Sequence, residues 1–256
     1  MGAKKFAIAA VIAESCDVYK KIFGRLFVVI LVLSFPLTLI HQLTLLRFIR
    51  ANADPAMING FSFLMFPVHL LPSLIILMLA ANQLESGESP IMRAVGTALC
   101  RWFKVLVTGI MMIFAILLPL VATGLILSVA ARSSGSMSPV SLALLAFLLG
   151  VPSFVYAVLF AVYWMFLPMA VLCRGKWLFS AFSYSFSLVR KRWLSVAGLV
   201  SLMLVAIVLT QIPLVLWGSS PLAVVFTLIT TCALAFLQTV YATAFIALES
   251  DMDSNG

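Results

Sequence analysis

Apolar residues in this chain come in long blocks, interrupted at a few places by short polar patches that hold nearly all the charge. Charge-free runs lie between Arg25 and Arg47, Asp54 and Glu85, Lys104 and Arg132, Arg132 and Arg174, and Arg192 and Glu249. A helix rising ~1.5 Å per residue needs about 20 apolar residues to cross a hydrocarbon layer ~30 Å thick. The first four runs supply one crossing each; the last supplies two, divided near Gly218-Ser219-Ser220-Pro221. The pattern therefore predicts an all-α, polytopic membrane fold with six spans, at about 22–46, 61–81, 105–130, 140–173, 194–217 and 222–248. The fourth span is too long for one straight crossing, at ~51 Å of helix. Pro152 and Pro168 are its candidate break points, and the helix is expected to leave the hydrocarbon near Pro168.

Between the blocks lie amphipathic stretches. Residues 177–193, WLFSAFSYSFSLVRKRW, read as a helix place Phe179, Phe182, Phe186, Val189 and Trp193 on one side. Ser180, Ser183, Ser187, Arg190 and Lys191 gather on the neighbouring side. Such a segment is too short and polar to cross a bilayer, and its aromatic and cationic residues suit the headgroup layer. Residues 4–21 and 90–103 have the same character, the latter opened by a Ser89 cap and Pro90. Basic-aromatic junctions follow each, at Lys20-Lys21-Ile22-Phe23, Arg101-Trp102-Phe103-Lys104 and Arg190-Lys191-Arg192-Trp193. The chain thus reads as one integral membrane domain of three parallel hairpin repeats, about 4–81, 89–173 and 177–248. Each repeat is preceded by a short cytoplasmic amphipathic helix, and the chain closes with an acidic disordered tail, 249–256.

Composition supports the class, with 64% of residues hydrophobic and 9% charged against ~45–50% and ~25% in soluble domains. Of the sixteen basic residues, all but Arg47, Arg50 and Arg132 fall on the side shared by both termini. The positive-inside rule puts that side in the cytoplasm. The net charge of +8 is then a topology signal with attraction for anionic inner-leaflet lipid added, and no nucleic-acid partner is expected. Four scattered cysteines without a C-x-x-C pair imply reduced thiols and no metal site.

Two passages resemble a known family. Leu167-Pro168-Met169-Ala170-Val171-Leu172, then Gly175-Lys176, Ala181, Ser187-Leu188 and Trp193, resemble the junction between spans four and five of the YciC-type bacterial inner-membrane proteins. Gln83-Leu84-Glu85-Ser86-Gly87-Glu88 through Arg93-Ala94-Val95-Gly96 look like the same family's connection after span two. More distantly the chain is similar to the membrane domain of some glycerophosphodiester phosphodiesterases. The resemblance implies a multi-pass bacterial inner-membrane protein and brings no catalytic residues with it.

Candidate chemistry is sparse. Polar residues within the spans are His41, Gln42, His69, Gln211, Gln238 and scattered Ser and Thr, with no charged residue well inside. No nucleophile elbow, zinc-protease, phosphate-loop or dinucleotide motif occurs, and Glu85 with Glu88 reads as a solvated turn, so no enzyme and no cofactor are expected. Two functional readings follow. The first is an accessory protein of envelope or lipid homeostasis, holding anionic lipid or a membrane partner on a collar of Arg174, Lys176, Trp177, Arg190, Lys191, Arg192 and Trp193. The second is a permease or lipid translocator with a site where the hairpins meet, near Pro67, His69 and Pro72, with Pro119 and Pro213 nearby. A conduit needs a polar cavity at mid-depth, whereas an accessory protein needs a dry, packed centre.

Overall fold

The computed structural model describes residues 6–133, 139–217 and 222–254. Lys4, Lys5, the division expected at 218–221, and the last two residues lie outside them. The described residues form helices α1 (Ile8–Val29), α2 (Phe35–Arg50), α3 (Pro55–Ser86), α4 (Ile91–Ser133), α5 (Pro139–Tyr163), α6 (Leu167–Arg174), α7 (Phe179–Arg190), α8 (Trp193–Trp217) and α9 (Ala223–Ser254), with no strand among them. Six stretches are long and apolar enough to cross a membrane. The chain is an all-α multi-pass membrane protein.

α9 packs on α1, α3 and α8; α3 packs also on α4, α4 on α5, and α5 on α8. The short α6 sits against α3, α4 and α7 at the end of the bundle that carries most of the charge. Phe166, Leu167, Met169, Ala170, Val171 and Leu172 are all at most 1% exposed, which makes α6 the plug of that cationic end.

Two of the three amphipathic segments are not separate helices. α1 runs through the first junction without a break and joins α2 by a π-helical turn, Ile30–Ser34, in which the Phe35 N–H bonds to the Ile30 carbonyl. One buried stripe, Val11, Ser15, Val18, Ile22, Leu26 and Val29, holds the whole of α1 on its neighbours, so nothing favours a bend at Lys20-Lys21. Pro36 stands in the first turn of α2, just past the π turn, where the backbone donor that proline lacks is most easily spared. α4 likewise runs unbroken through Arg101-Trp102-Phe103-Lys104.

The third segment is separate. α7 is parted from α8 by a turn at Lys191 and Arg192. Its protein-facing side is only in part the phenylalanine face that periodicity selects: Ala181, Ser185, Leu188 and Val189 are buried and Phe182 packs on Trp164, while Phe179 is 78% and Phe186 42% exposed. Small residues permit the close approach to the bundle, and the Phe179 ring points away from it.

The long fourth span breaks near its proline. A turn at Trp164, Met165 and Phe166 ends α5, and Pro168 stands in the first turn of α6. A break frees backbone carbonyls that apolar surroundings cannot satisfy. Ser185 donates to the Tyr163 carbonyl (2.8 Å) and the Tyr241 hydroxyl to that of Met165. At the other end of α6, Arg101 donates to the Leu172 carbonyl and Gly175 takes the left-handed conformation (φ +64°) that turns the chain into α7.

Candidate functional site

Charge at the cationic end is organised rather than spread. Arg174, the last residue of α6, donates through Nε to Glu249 Oε1 (2.6 Å) and through Nη2 to Glu249 Oε2 and to Glu85 Oε1 (2.6 Å). The Tyr184 hydroxyl donates to the same Glu249 carboxylate. One cluster thus ties α3, α6, α7 and α9 together. Burial, then the hydrogen bond to Glu249, raises the Tyr184 phenol above its ordinary value, so it remains a donor. Arg192 is paired with Asp251 through Nε (2.9 Å).

These pairs correct the expectation of an acidic disordered tail. α9 continues to Ser254, and Glu249 and Asp251 are buried because each has an arginine to neutralise it. They also divide the collar. Arg174 and Arg192 have carboxylate partners within the chain. Arg190 and Lys191 are exposed, Lys176 Nζ stands 5.9 Å over the Tyr184 ring, and Lys104 Nζ stands 5.8 Å over Trp177. Trp193 is half-buried, with its indole N–H enclosed and unbonded. A groove of about 540 Å³ lies between the start of α1 and the end of α9, with exposed Glu14 and Asp17 on its rim.

A second polar locus lies midway along the helices. There the π turn, α2, α3 and α9 enclose a cavity of about 180 Å³ lined by Ser34, Thr38, His69, Ser73, Thr231 and Gln238, with Pro72 and apolar side chains completing the wall. His69 and Gln238 are each near the midpoint of their helix. The His41 ring lies 5.1 Å from that of His69 and 5.5 Å from Phe61. Nε2 of both histidines and Oε1 of Gln238 are buried without a hydrogen-bond partner.

Of the three residues expected at an intramembrane site, the structure brings His69 and Pro72 to this cavity. The Pro67 carbonyl instead accepts from Trp102 Nε1 (2.9 Å), which fastens α4 to α3, and α3 stays helical through both prolines. Neither Pro119 nor Pro213 lines the cavity. Ser34, Thr38, Ser73 and Thr231 were not singled out from the sequence. The signal available for them is spacing, because Ser34 and Thr38, and His69 and Ser73, are each four residues apart on otherwise apolar helices. No group of three metal-ligating side chains occurs among the described residues.

Comparison with family models, curated proteins and solved structures finds no match to this chain.

Proposed function

We propose that the chain is a permease-class protein that holds a small polar solute at mid-depth and passes it along the bundle. The observation that carries this reading is the 180 Å³ cavity where the π turn meets α3 and α9. Irregular backbone and clustered hydroxyl, amide and imidazole groups at membrane depth are costly unless they line a cavity that water or solute fills. The volume admits several waters or a small solute, and the wall has no cation to meet a lipid phosphate, which favours permease over lipid translocator. The reading includes no enzymatic step. It places the protein in a bacterial inner membrane, in keeping with its resemblance to the YciC-type family, with the cationic end facing the cytoplasm as its arginines and lysines favour.

Cysteine accessibility tests it. In a background lacking the four native cysteines, Ser73→Cys should react in membranes with a small polar thiol reagent, while Leu79→Cys, from the fully buried part of α3, should not. An unreactive Ser73→Cys means a dry centre and ends the permease reading.

The accessory reading then takes its place, supported by the exposure of Arg190 and Lys191 beside the exposed rings of Phe179 and Phe186. That arrangement suits a surface resting on anionic lipid.

A further inference from the structure

The hydrogen-bonding groups around the mid-depth cavity are not balanced between donors and acceptors. A hydroxyl has one proton and two lone pairs. Thr38 spends its proton on the Ser34 carbonyl (2.8 Å), Ser73 on that of His69 (3.2 Å), and Thr231 on that of Thr227 (2.7 Å). Each bond runs back one turn along its own helix, so what these side chains turn to the cavity is lone pairs. Gln238 spends an amide proton on Ser73 Oγ (3.0 Å) and keeps its buried carbonyl oxygen unpaired. A neutral imidazole has one lone-pair nitrogen and one N–H, and Nε2 of His69 on the wall, like that of His41 beside it, is buried and unpartnered. No carboxylate and no cationic side chain lines the wall.

The cavity is therefore neutral and offers more lone pairs than protons. With no cationic side chain on the wall, an anion finds no opposite charge there. A divalent cation of the calcium or magnesium kind wants carboxylates, and an alkali ion gains little from imidazole nitrogen. A ligand with several N–H donors and one positive charge matches both the geometry and the count, since each donor meets a lone pair that would otherwise stay unsatisfied. We propose that this cavity binds ammonium or a small primary amine in its protonated form, and that this is the solute the bundle passes. The inference rests on the permease reading of the same cavity and adds the substrate class to it.

Uptake of labelled methylammonium into proteoliposomes of the full chain tests it. Uptake should saturate, exceed that of empty liposomes, be inhibited by ammonium, and be unaffected by potassium, which has the charge without the donors. Thr38→Val keeps the shape and removes the lone pairs, and His69→Phe keeps a ring and removes the nitrogen. Each should lower uptake roughly tenfold or more, the loss expected for a hydrogen bond to a charged group, whereas Ser201→Ala on the exposed side of α8 should leave it unchanged. Because Thr38→Val is nearly isosteric, its expected thermal transition in detergent is that of the wild type. Methylammonium uptake no faster than in empty liposomes overturns the proposal, as does uptake insensitive to Thr38→Val in a folded protein. Stoichiometric zinc binding lost in both His41→Ala and His69→Ala, without competition from methylammonium, also overturns it. Should Ser73→Cys be reactive while methylammonium is not taken up, the permease reading stands and the amine assignment falls; an unreactive Ser73→Cys removes both.

Discussion

The half of the bundle nearer the cationic end and the half beyond the mid-depth cavity have similar apolar composition, yet they pack differently. In α3, every residue from Leu74 to Ala81 is buried, and none from Pro55 to Leu71 is. Among the described residues, the buried positions of α4 are Ala94, Ala98, Val105 and Thr108, and those of α8 are Val196 and Leu199, all in the parts of those helices close to the cationic end. Beyond, large side chains such as Leu64, Phe114 and Leu118 are 72%, 70% and 69% exposed. Lipid tails solvate such surfaces as well as a neighbouring helix would, so apolar character alone does not hold helices together there. Polar bonds and close packing must do so; the ion pairs and most of the close packing lie at the end where α6 is buried, while beyond the cavity the ties are single hydroxyl bonds, among them Thr227 to Gln42, Thr230 to the Thr210 carbonyl and Thr123 with Ser153. The consequence is a bundle held more tightly at one end than at the other, with the cavity at the boundary.

The largest expected effect comes from loosening the fixed end. Glu249→Gln removes the charge that holds Arg174 and weakens the Tyr184 contact, leaving a guanidinium that is 34% exposed with Glu85 alone. After allowing for that exposure, a loss of roughly 2–3 kcal/mol is expected, read as a lower transition in detergent-based unfolding. Glu85→Gln, at the more exposed carboxylate, should cost under about 1 kcal/mol. Equal, small losses in the two variants would break the picture of an anchored end.

A packing contrast comes next. Leu79→Ala empties a fully buried position in the packed half of α3 and should cost roughly 1–3 kcal/mol through lost contacts. Leu118→Ala, on the exposed face of α4, should stay within about 0.5 kcal/mol. If the two variants unfold alike, the two halves do not differ in the way their burial indicates.

What the sequence disclosed follows from the same division. Spans, their number and the break at Pro168 were legible because hydrocarbon thickness and proline act locally, on length and on single residues. The continuity of α1 and α4 through their basic junctions was not, since a charged patch alone does not stop a helix whose buried stripe runs on. Nor was the burial of Glu249 and Asp251: on paper they are a polar tail, and only their arginine partners, Arg174 and Arg192, make burial affordable in energy. His69 and Pro72 stood out as rare residues in an apolar run. Thr38, Ser73 and Thr231 did not, because a membrane helix can bond any hydroxyl to its own carbonyls. Their convergence depends on how α2, α3 and α9 cross.

The smallest effect on stability is expected at Arg190 and Lys191, and it bears on what the cationic end does beyond anchoring. Both side chains are exposed, and neither is needed by the ion-pair cluster around Arg174. Replacing both with Gln should leave unfolding unchanged within about 0.5 kcal/mol. Their attraction for an anionic surface is worth up to about 1 kcal/mol each before screening, so the double variant should show weaker association with anionic lipid in a lipid-exchange measurement, and the difference should shrink as salt is raised. A stability loss comparable to that of Glu249→Gln would mean that these two cations belong to the anchor after all. Unchanged lipid association would leave them the role of setting orientation, which requires charge on this side of the membrane but no bound headgroup.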